Sequence, residues 1–270
     1  MVSEKGTEHY VSRKDGRVYY YRVGQGEPII FLHAVGLSGW SWRKTIHGFA
    51  RHFTCHNIDM PGFDHSDIPP VKYSIEDYTK AIVDVLDAIG LERTHIVADH
   101  TGSMVALDLA ATCPHRVSRL VLDGLPYWNK ERGRAYFQES FAPQHTDTTS
   151  YDVPVAPMLT WEEAVAQNPS NLDRELWEKR EEIKGRSRLW IRFSQEANTS
   201  YDVDEAGPRV KAPTLLVYGE RDMPRFWGEL AHAEIKGSIL KVFPGAPGAA
   251  HHHDPDEFVR LALDFLSGRV

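Results

Sequence analysis

Residues 95–104 read HIVADHTGSM, and this stretch decides the fold. The apolar run 94–99 predicts a buried strand, and residues 103–112 predict a helix that follows it almost at once. Small residues stand two positions before and two positions after His100, where a sharp turn needs little side-chain volume. The stretch therefore predicts a strand, a tight turn and a helix, with His100 at the tip of the turn.

Similar units precede and follow this stretch. Further strands are predicted at 28–33, 54–60, 117–124, 214–218 and 239–243, and further helices at 41–52, 74–91 and 256–266. Residues 8–23 predict an antiparallel hairpin, because two β-rich runs flank a Lys-Asp-Gly turn signal. Buried strands that alternate with helices form parallel sheets covered on both faces. We therefore predict an α/β fold with a mostly parallel, eight-stranded sheet.

The alternation of strands and helices stops between about Trp128 and Arg209. This segment is rich in Trp, Tyr, Phe, Glu and Arg, and its helical stretches lie at 161–167 and 173–196. We interpret residues 128–209 as a helical cap, or lid, inserted into a core domain made of residues 1–127 and 210–270.

Composition limits the classes of partner. The 270-residue chain has a net charge of −7 with acidic and basic residues interspersed, which disfavours nucleic acid and membrane surfaces as partners. No apolar run approaches the roughly 20 residues of a transmembrane helix, and the N-terminus lacks a signal-peptide pattern. The two cysteines have no metal-type or redox-type spacing. We expect a cytoplasmic monomer or homodimer that acts on a small molecule without a cofactor.

Four stretches, taken in order, carry a family resemblance. They are the loop His33-Ala34-Val35, the Asp-x-Pro-Gly segment 59–66, the strand–turn–helix 96–110, and LLVYGERD at 215–222. In this order the chain resembles the α/β-hydrolase family, from about Tyr19 to the last helix. The resemblance implies that the backbone N–H groups of Val35 and Thr101 form an oxyanion hole and that Asp222 orients a catalytic base.

Two departures from the family pattern concern the catalytic residues. Ester-hydrolysing members carry Gly-x-Ser-x-Gly at the nucleophile elbow, where this chain has Ala-Asp-His-Thr-Gly with His100 at the centre. The family also shows Gly-His about seven residues before a helix that starts near a Pro. The matching position here, counted back from Pro255, is Gly248. The usual nucleophile and the usual base are therefore both replaced.

These two departures can compensate each other. An imidazole at position 100 reaches farther than a serine hydroxyl, into the space that the usual histidine ring would fill and that Gly248 leaves open. His100 would then hydrogen-bond Asp222 and form a dyad that acts as a general base. Such a base can activate water to hydrolyse an ester, lactone or C–C bond in a small apolar or aromatic carbonyl compound. It can also abstract a proton in a cofactor-independent lyase, cyclase or isomerase, and nucleophilic attack by His100 is a third alternative.

Three other hypotheses concern the same end of the sheet. His251 or His252, in the run His251-His252-His253, could serve as an alternative base, although solvated residues near a helix start are the simpler interpretation. Adjacent histidines converge poorly on one ion, so we predict no metal site. The site could also be degenerate and only bind a ligand.

Candidate pocket residues follow from their positions along the chain. Residues just beyond the carboxyl ends of parallel strands, and aromatic residues of a cap, are placed to contact a ligand. On this basis we select His33, Ala34, Tyr127, Trp128, Trp190 and Phe193.

Overall fold

The computed structural model describes residues 5–140, 160–167 and 173–270. The predicted cap, 128–209, includes residues 141–159 and 168–172, which lie outside the described residues. Within the described ranges, no helix is long and apolar enough to cross a lipid bilayer.

In the part of the chain that the structure describes, eight strands form one sheet. They are β1 Thr7–Arg13, β2 Gly16–Val23, β3 Glu27–Leu32, β4 Phe53–Ile58, β5 Thr94–Asp99, β6 Val117–Asp123, β7 Thr214–Gly219 and β8 Ile239–Phe243. Their order is β1-β2-β4-β3-β5-β6-β7-β8. Only the pairs β1–β2 and β2–β4 are antiparallel. The predicted α/β fold with a mostly parallel eight-stranded sheet is confirmed.

Helices pack on both faces of this sheet. The described helices are α1 Ile46–Ala50, α2 Ile75–Ala88, α3 Thr101–Thr112, α4 Lys130–Ser140, α5 Trp161–Gln167, α6 Arg174–Ser200, α7 Val203–Ala206, α8 Gly228–Glu234, α9 Ala250–His253 and α10 Pro255–Leu266. Ile96 and Ala98 of β5 belong to the core under α2 and α3, whereas Val97 belongs to the core under α1 and α10. This alternation is the period-two pattern of a strand buried on both faces. It also sends the side chains of successive residues at the end of β5 to opposite sides.

The helix predicted at 41–52 is shorter than expected. Residues Gly39–Trp42 form a 3-10 turn, and α1 spans only Ile46–Ala50. The Ser38 hydroxyl accepts a hydrogen bond from the Trp40 amide, and Asp59 accepts one from the Gly39 amide at 2.7 Å. These bonds tie the start of the segment to the end of β4. The amphipathic pattern alone gave no sign of that tertiary constraint.

Helix α6, which belongs to the segment between β6 and β7, packs on the loop that follows β4. Trp190 lies over Gly62, and its indole N–H donates to the Pro61 carbonyl at 2.9 Å. Asp64 accepts ion pairs from Lys179 and Arg186 of α6, each at 3.0 Å. These contacts fix α6 beside the loop that follows β4. The division into core and cap domains stays a prediction.

Gly62 allows this packing, and it gives a test of the contact. A Cβ at Gly62 would lie 1.8 Å from the Trp190 ring nitrogen, and the backbone has φ +90. We expect Gly62→Ala to lower the free energy of unfolding by about 2–5 kcal/mol, because left-handed strain adds to displacement of the ring. Gly90→Ala is the matched control, since Gly90 has φ +74 and open space around it. We expect that control to cost about 1–2 kcal/mol in urea denaturation. Equal losses in the two variants would contradict tight packing of Trp190 on Gly62.

Candidate active site

His100 lies in the tight turn between β5 and α3 with φ 46 and ψ −105. A non-glycine residue in this region is strained and persists only when its surroundings hold it there. The His100 amide donates to the Asp123 carbonyl at 2.9 Å, which ties the turn to the end of β6. Gly102 lets the start of α3 approach β3, because a Cβ there would be 2.5 Å from the Leu32 carbonyl oxygen. The hydrogen bond to Asp123 and the close packing at Gly102 together hold the His100 side chain away from the sheet.

The imidazole of His100 lies between two carboxylates. Its Nδ1 donates to Asp99 in a very short hydrogen bond, and its Nε2 faces the two oxygens of Asp222 at 3.2 and 3.3 Å. Gly124 makes room for the ring, since a Cβ there would be 2.7 Å from His100 Cε1. The side chain of His100 is 25% exposed, whereas the Asp99 side chain is almost fully buried. Asp99 therefore binds the inner ring nitrogen, Nδ1, and the nitrogen beside Asp222, Nε2, is the outer one.

This arrangement favours a charged imidazole. Burial acts to lower the pKa of His100, but the negative charges of Asp99 and Asp222 outweigh it and raise that pKa well above its usual 6.5. Burial and charge have the opposite effects on the pKa of Asp99. Burial acts to raise its pKa, but the positive charge of His100 lowers the pKa of Asp99 to about 2. At neutral pH the pair is therefore an imidazolium bonded to a carboxylate, and no ring nitrogen is free.

One of the two amides predicted for an oxyanion hole, that of Val35, contacts the Thr101 side chain. The Val35 amide donates to the Thr101 hydroxyl at 3.4 Å, and the Asn198 side-chain amide donates to the same oxygen at 2.7 Å. The Thr101 amide is in the first turn of α3, where backbone N–H groups have no partner within the helix. The Thr101 hydroxyl oxygen therefore accepts hydrogen bonds from both the Val35 amide and Asn198, and the oxyanion hole stays a prediction.

A cavity of about 970 Å³ opens above this turn. Seven of the residues selected from the sequence line it: Ala34, Val35, His100, Thr101, Trp128, Asp222 and His252. The cavity is also lined by Gly248, where a Cβ would meet no atom within 4 Å. The structure thus brings these selected residues together around one space.

Other selected residues lie elsewhere. His33 is buried, and its ring bridges the Ala34 carbonyl and the Met60 amide, each at 2.8 Å. Trp190 packs on Gly62, and Phe193 contacts Trp190 and the ammonium of Lys72. Tyr127 is buried against Gly207. None of these four side chains lines the cavity described above. They stabilise the wall of the cavity and the packing of α6.

The histidine run at 251–253 is not a set of solvated residues. His251 is buried, stacks on Trp42 with ring centroids 4.1 Å apart, and donates from Nδ1 to Asp123 at 2.8 Å. Its acidic partner is therefore Asp123 and not Asp222. His252 lines the cavity, and its two ring nitrogens have no hydrogen-bond partner among the described residues. Only His253 is exposed.

Two functional candidates, Asp123 and Arg180, were missing from the sequence interpretation, and Asp99 was considered there only as a neighbour of His100 that could tune its charge or lie at the surface. Asp99 and Asp123 end β5 and β6 and line up in register, so the rule for carboxyl ends of strands pointed to both. Arg180 of α6 also lines the cavity, but helical spacing alone does not say which face of α6 meets a ligand.

Two groups of side chains in the described ranges have donor atoms close enough to hold a metal ion. Asp99, His251 and His252 form a group whose ligand atoms lie within 4.8 Å of one another, and Asp59, Asp64 and His65 form another.

The fold is that of a known class. Residues 27–247 match the family model for the alpha/beta hydrolase fold, and the chain belongs to this family. The resemblance inferred from the sequence is confirmed at that level, and the named relatives described next support a hydrolase.

Curated relatives span almost the whole chain. One is the 2-hydroxy-6-oxo-6-phenylhexa-2,4-dienoate hydrolase of Comamonas testosteroni, 27% identical over 99% of this chain and 95% of that protein. Another is a 2-hydroxy-6-oxononadienedioate/2-hydroxy-6-oxononatrienedioate hydrolase of Pseudomonas putida, 28% identical over 98% of each. Among solved structures, a hydrolase from Pseudomonas aeruginosa superposes with a TM-score of 0.77 at 21% identity, covering 97% of this chain and 98% of that one. An enol-lactonase from Burkholderia xenovorans gives 0.75 at 18% identity, covering 96% and 100%.

The charge on His100 can be measured directly. We expect an NMR titration of labelled histidine rings to place the pKa of His100 above 6.5. Asp222→Asn and Asp99→Asn should each lower it, because each removes one of the two negative charges that favour the imidazolium. The drop should be larger for Asp99→Asn, whose contact is the shorter. His115→Gln, at an exposed histidine, is the control. A His100 pKa at or below 6.5 in the unaltered chain would contradict the ion pair.

Proposed function

We propose that the protein hydrolyses an ester, a lactone or a C–C bond next to a carbonyl in a small, mainly apolar molecule that carries a carboxylate. The observation that carries this proposal is the position of His100, which faces the cavity from a strained turn with Asp222 at its outer nitrogen. Catalysis in this proposal needs no acyl-enzyme, because the turn presents neither a hydroxyl nor a thiol at position 100.

The roles of the residues follow from the geometry. Asp99 accepts the Nδ1 proton and fixes the ring orientation, so the outer Nε2 is the atom that exchanges a proton with the cavity. When Nε2 loses its proton, it can take one from a water molecule held beside Asp222, and that water attacks the substrate carbonyl. The carbonyl oxygen becomes negative as the tetrahedral intermediate forms. In this proposal the amides of Val35 and Thr101 bind it, and the Val35 amide exchanges its bond to the Thr101 hydroxyl for one to this oxygen.

The expected pH dependence has a definite sign. Only the neutral form of His100 accepts a proton, and its raised pKa makes that form the minor one at neutral pH. We therefore expect kcat/KM to increase with pH through the His100 pKa that NMR measures. In Asp222→Asn the ascending limb should move to lower pH. A limb that falls with rising pH would instead favour the imidazolium as the working acid.

Arg180 supplies the argument for a carboxylate on the substrate. It lines the cavity and makes no hydrogen bond or ion pair with another residue of the described ranges. Burial lowers the pKa of its guanidinium, an effect that Glu181 and Asp99 only partly offset. A poorly hydrated guanidinium is an effective partner for a planar carboxylate. The dienoate and dienedioate substrates named for the relatives carry such a group.

The reaction class can be tested with a panel of aryl esters, lactones and β-dicarbonyl compounds in heavy-oxygen water. Hydrolysis places the heavy isotope in the product, whereas elimination or isomerisation does not. We expect labelled product, and we expect His100→Ala to lower kcat/KM by about 10²–10⁴-fold, as loss of a general base does. His115→Gln should leave turnover unchanged. Turnover of unlabelled product would favour a lyase or isomerase, and turnover that survives His100→Ala would overturn the assignment of the base.

The carboxylate specificity has its own test. Arg180→Gln should raise KM by about 10- to 100-fold for a substrate with a free carboxylate, because a charge-assisted hydrogen bond is lost. The same variant should leave KM for the matching methyl ester nearly unchanged. Arg174→Gln is the control, since Arg174 also lines the cavity but is paired with Glu178 at 2.8 Å. Equal effects on acid and ester would show that Arg180 only supports the fold.

A further inference from the structure

A buried cluster directly under the His100 turn has the composition of a metal site. A carboxylate oxygen of Asp99, at the end of β5, and a ring nitrogen from each of His251 and His252, on α9, lie within 4.8 Å of one another. Asp99 and His251 are each only 1% exposed. Two imidazoles and one carboxylate form a donor set that binds divalent first-row transition metals.

His251 is oriented as a metal ligand is. Its Nδ1 donates to Asp123, so its Nε2 carries the lone pair, and that atom has no hydrogen-bond partner among the described residues. Asp123 is itself held by the backbone amides of Ala250 and His251 at 3.1 and 3.0 Å. A carboxylate that fixes the tautomer and direction of a histidine is the common outer shell of protein metal sites.

His252 supplies the second nitrogen. Its ring lies against that of His251, with the two ring centroids 3.9 Å apart. Both of its nitrogens are buried, and neither has a partner in the described part of the chain. Buried polar atoms left unpaired by the protein are costly, and a bound ion would give a partner to Nε2 of His251 and to one of the two ring nitrogens of His252.

Asp99 supplies the negative charge. Its carboxylate is almost fully buried and is bonded to the His100 ring. One of its oxygens accepts the His100 proton, and a carboxylate has a second oxygen to offer. Asp99 and His252 both line the cavity. An ion can therefore enter from the cavity, and its remaining coordination positions would face the substrate space.

We propose that Asp99, His251 and His252 bind one divalent transition-metal ion, with Asp123 as the residue that positions His251. Ligands of an ion at about 2.0–2.2 Å lie roughly 3.5 Å apart, and the ligand atoms of the cluster lie within 4.8 Å of one another, so the separations need to shorten by about 1.3 Å at most. Rotation of the His252 ring provides this movement, because no hydrogen bond holds it. The sequence argument against adjacent histidines did not foresee that a third ligand and an orienting carboxylate would come from β5 and β6.

The second cluster, Asp59, Asp64 and His65, lacks these features. Asp64 is engaged by Ser38, Lys179 and Arg186, and Asp59 accepts hydrogen bonds from Gly39 and His65. Its donor atoms already have partners, so we propose no ion there.

Cobalt and zinc titrations test the proposed site. The full chain, without a polyhistidine tag and stripped with a chelator, is titrated with Co²⁺ while visible absorption is recorded, and Zn²⁺ affinity is measured by calorimetry. We expect one ion per chain and a cobalt spectrum of low coordination number. Asp123→Asn should weaken binding by about 10- to 100-fold, and His252→Gln by at least as much. His253→Gln, the exposed neighbour in the same short helix, should leave affinity unchanged.

The outcomes distinguish a specific metal site from nonspecific metal binding by the three consecutive histidines. Absence of stoichiometric binding, or equal losses in His252→Gln and His253→Gln, would overturn the proposal. Circular dichroism of each variant shows whether it is folded, and His252→Gln removes no hydrogen bond of the described structure. The readout is metal affinity, so the result does not depend on the proposed hydrolase activity.

Discussion

The electrostatic contact between the His100 imidazolium and its two carboxylates is the constraint on which the site depends. A buried carboxylate without a partner is costly, and Asp99 and Asp222 come from different strands. One ring satisfies both, and it reaches them only because the backbone at position 100 adopts a positive φ. The absence of side chains at Gly102 and Gly124 follows from the same requirement, since any Cβ there would collide with β3 or with the ring. The backbone strain at the turn and the positive charge on the His100 ring therefore both result from its contact with the two carboxylates.

The same contact joins regions that are distant in sequence. Asp99 faces the side of the sheet covered by α10, where His251 and Asp123 form a second acid–histidine pair. Asp222 faces the cavity side, where α6 brings Arg180 and Asn198 to the wall. A change in the protonation of His100 therefore alters the charge seen by the buried histidines and by a ligand in the cavity.

The fold could be predicted from the sequence because its signals are local. The strand–turn–helix around His100 has an apolar run, two small residues and a helical pattern within twenty residues, and β5 has the predicted bounds. The hairpin and the parallel strands are similarly marked. The 41–52 segment differs because its start is held by Ser38 and Asp59, a tertiary effect that no local pattern records.

The candidate site was predictable only in part. The proximity of His100 and Asp222 could be anticipated from the family order of motifs combined with the absence of a side chain at Gly248. The roles of Asp99, Asp123 and Arg180 depend on which side of a strand or helix each side chain takes, and on which neighbours share its charge. His251 and His252 were interpreted from their adjacency alone, which said nothing about the carboxylates that approach them from β5 and β6.

Gly248 affects which amino-acid substitutions the site can accept at position 100. In the described structure the Asp222 carboxylate has His100 as its only side-chain partner, and Gly248 offers no imidazole to replace it. Replacing His100 alone with serine would leave a nearly buried acid unpaired, at a cost of about 3–5 kcal/mol. Replacing Gly248 alone with histidine would add a second imidazole to an acid that is already paired. Each single replacement changes the pairing of Asp222, and only the two together would give the serine–histidine–acid triad that the family resemblance implies, so the effects of substitutions at the two positions are not additive.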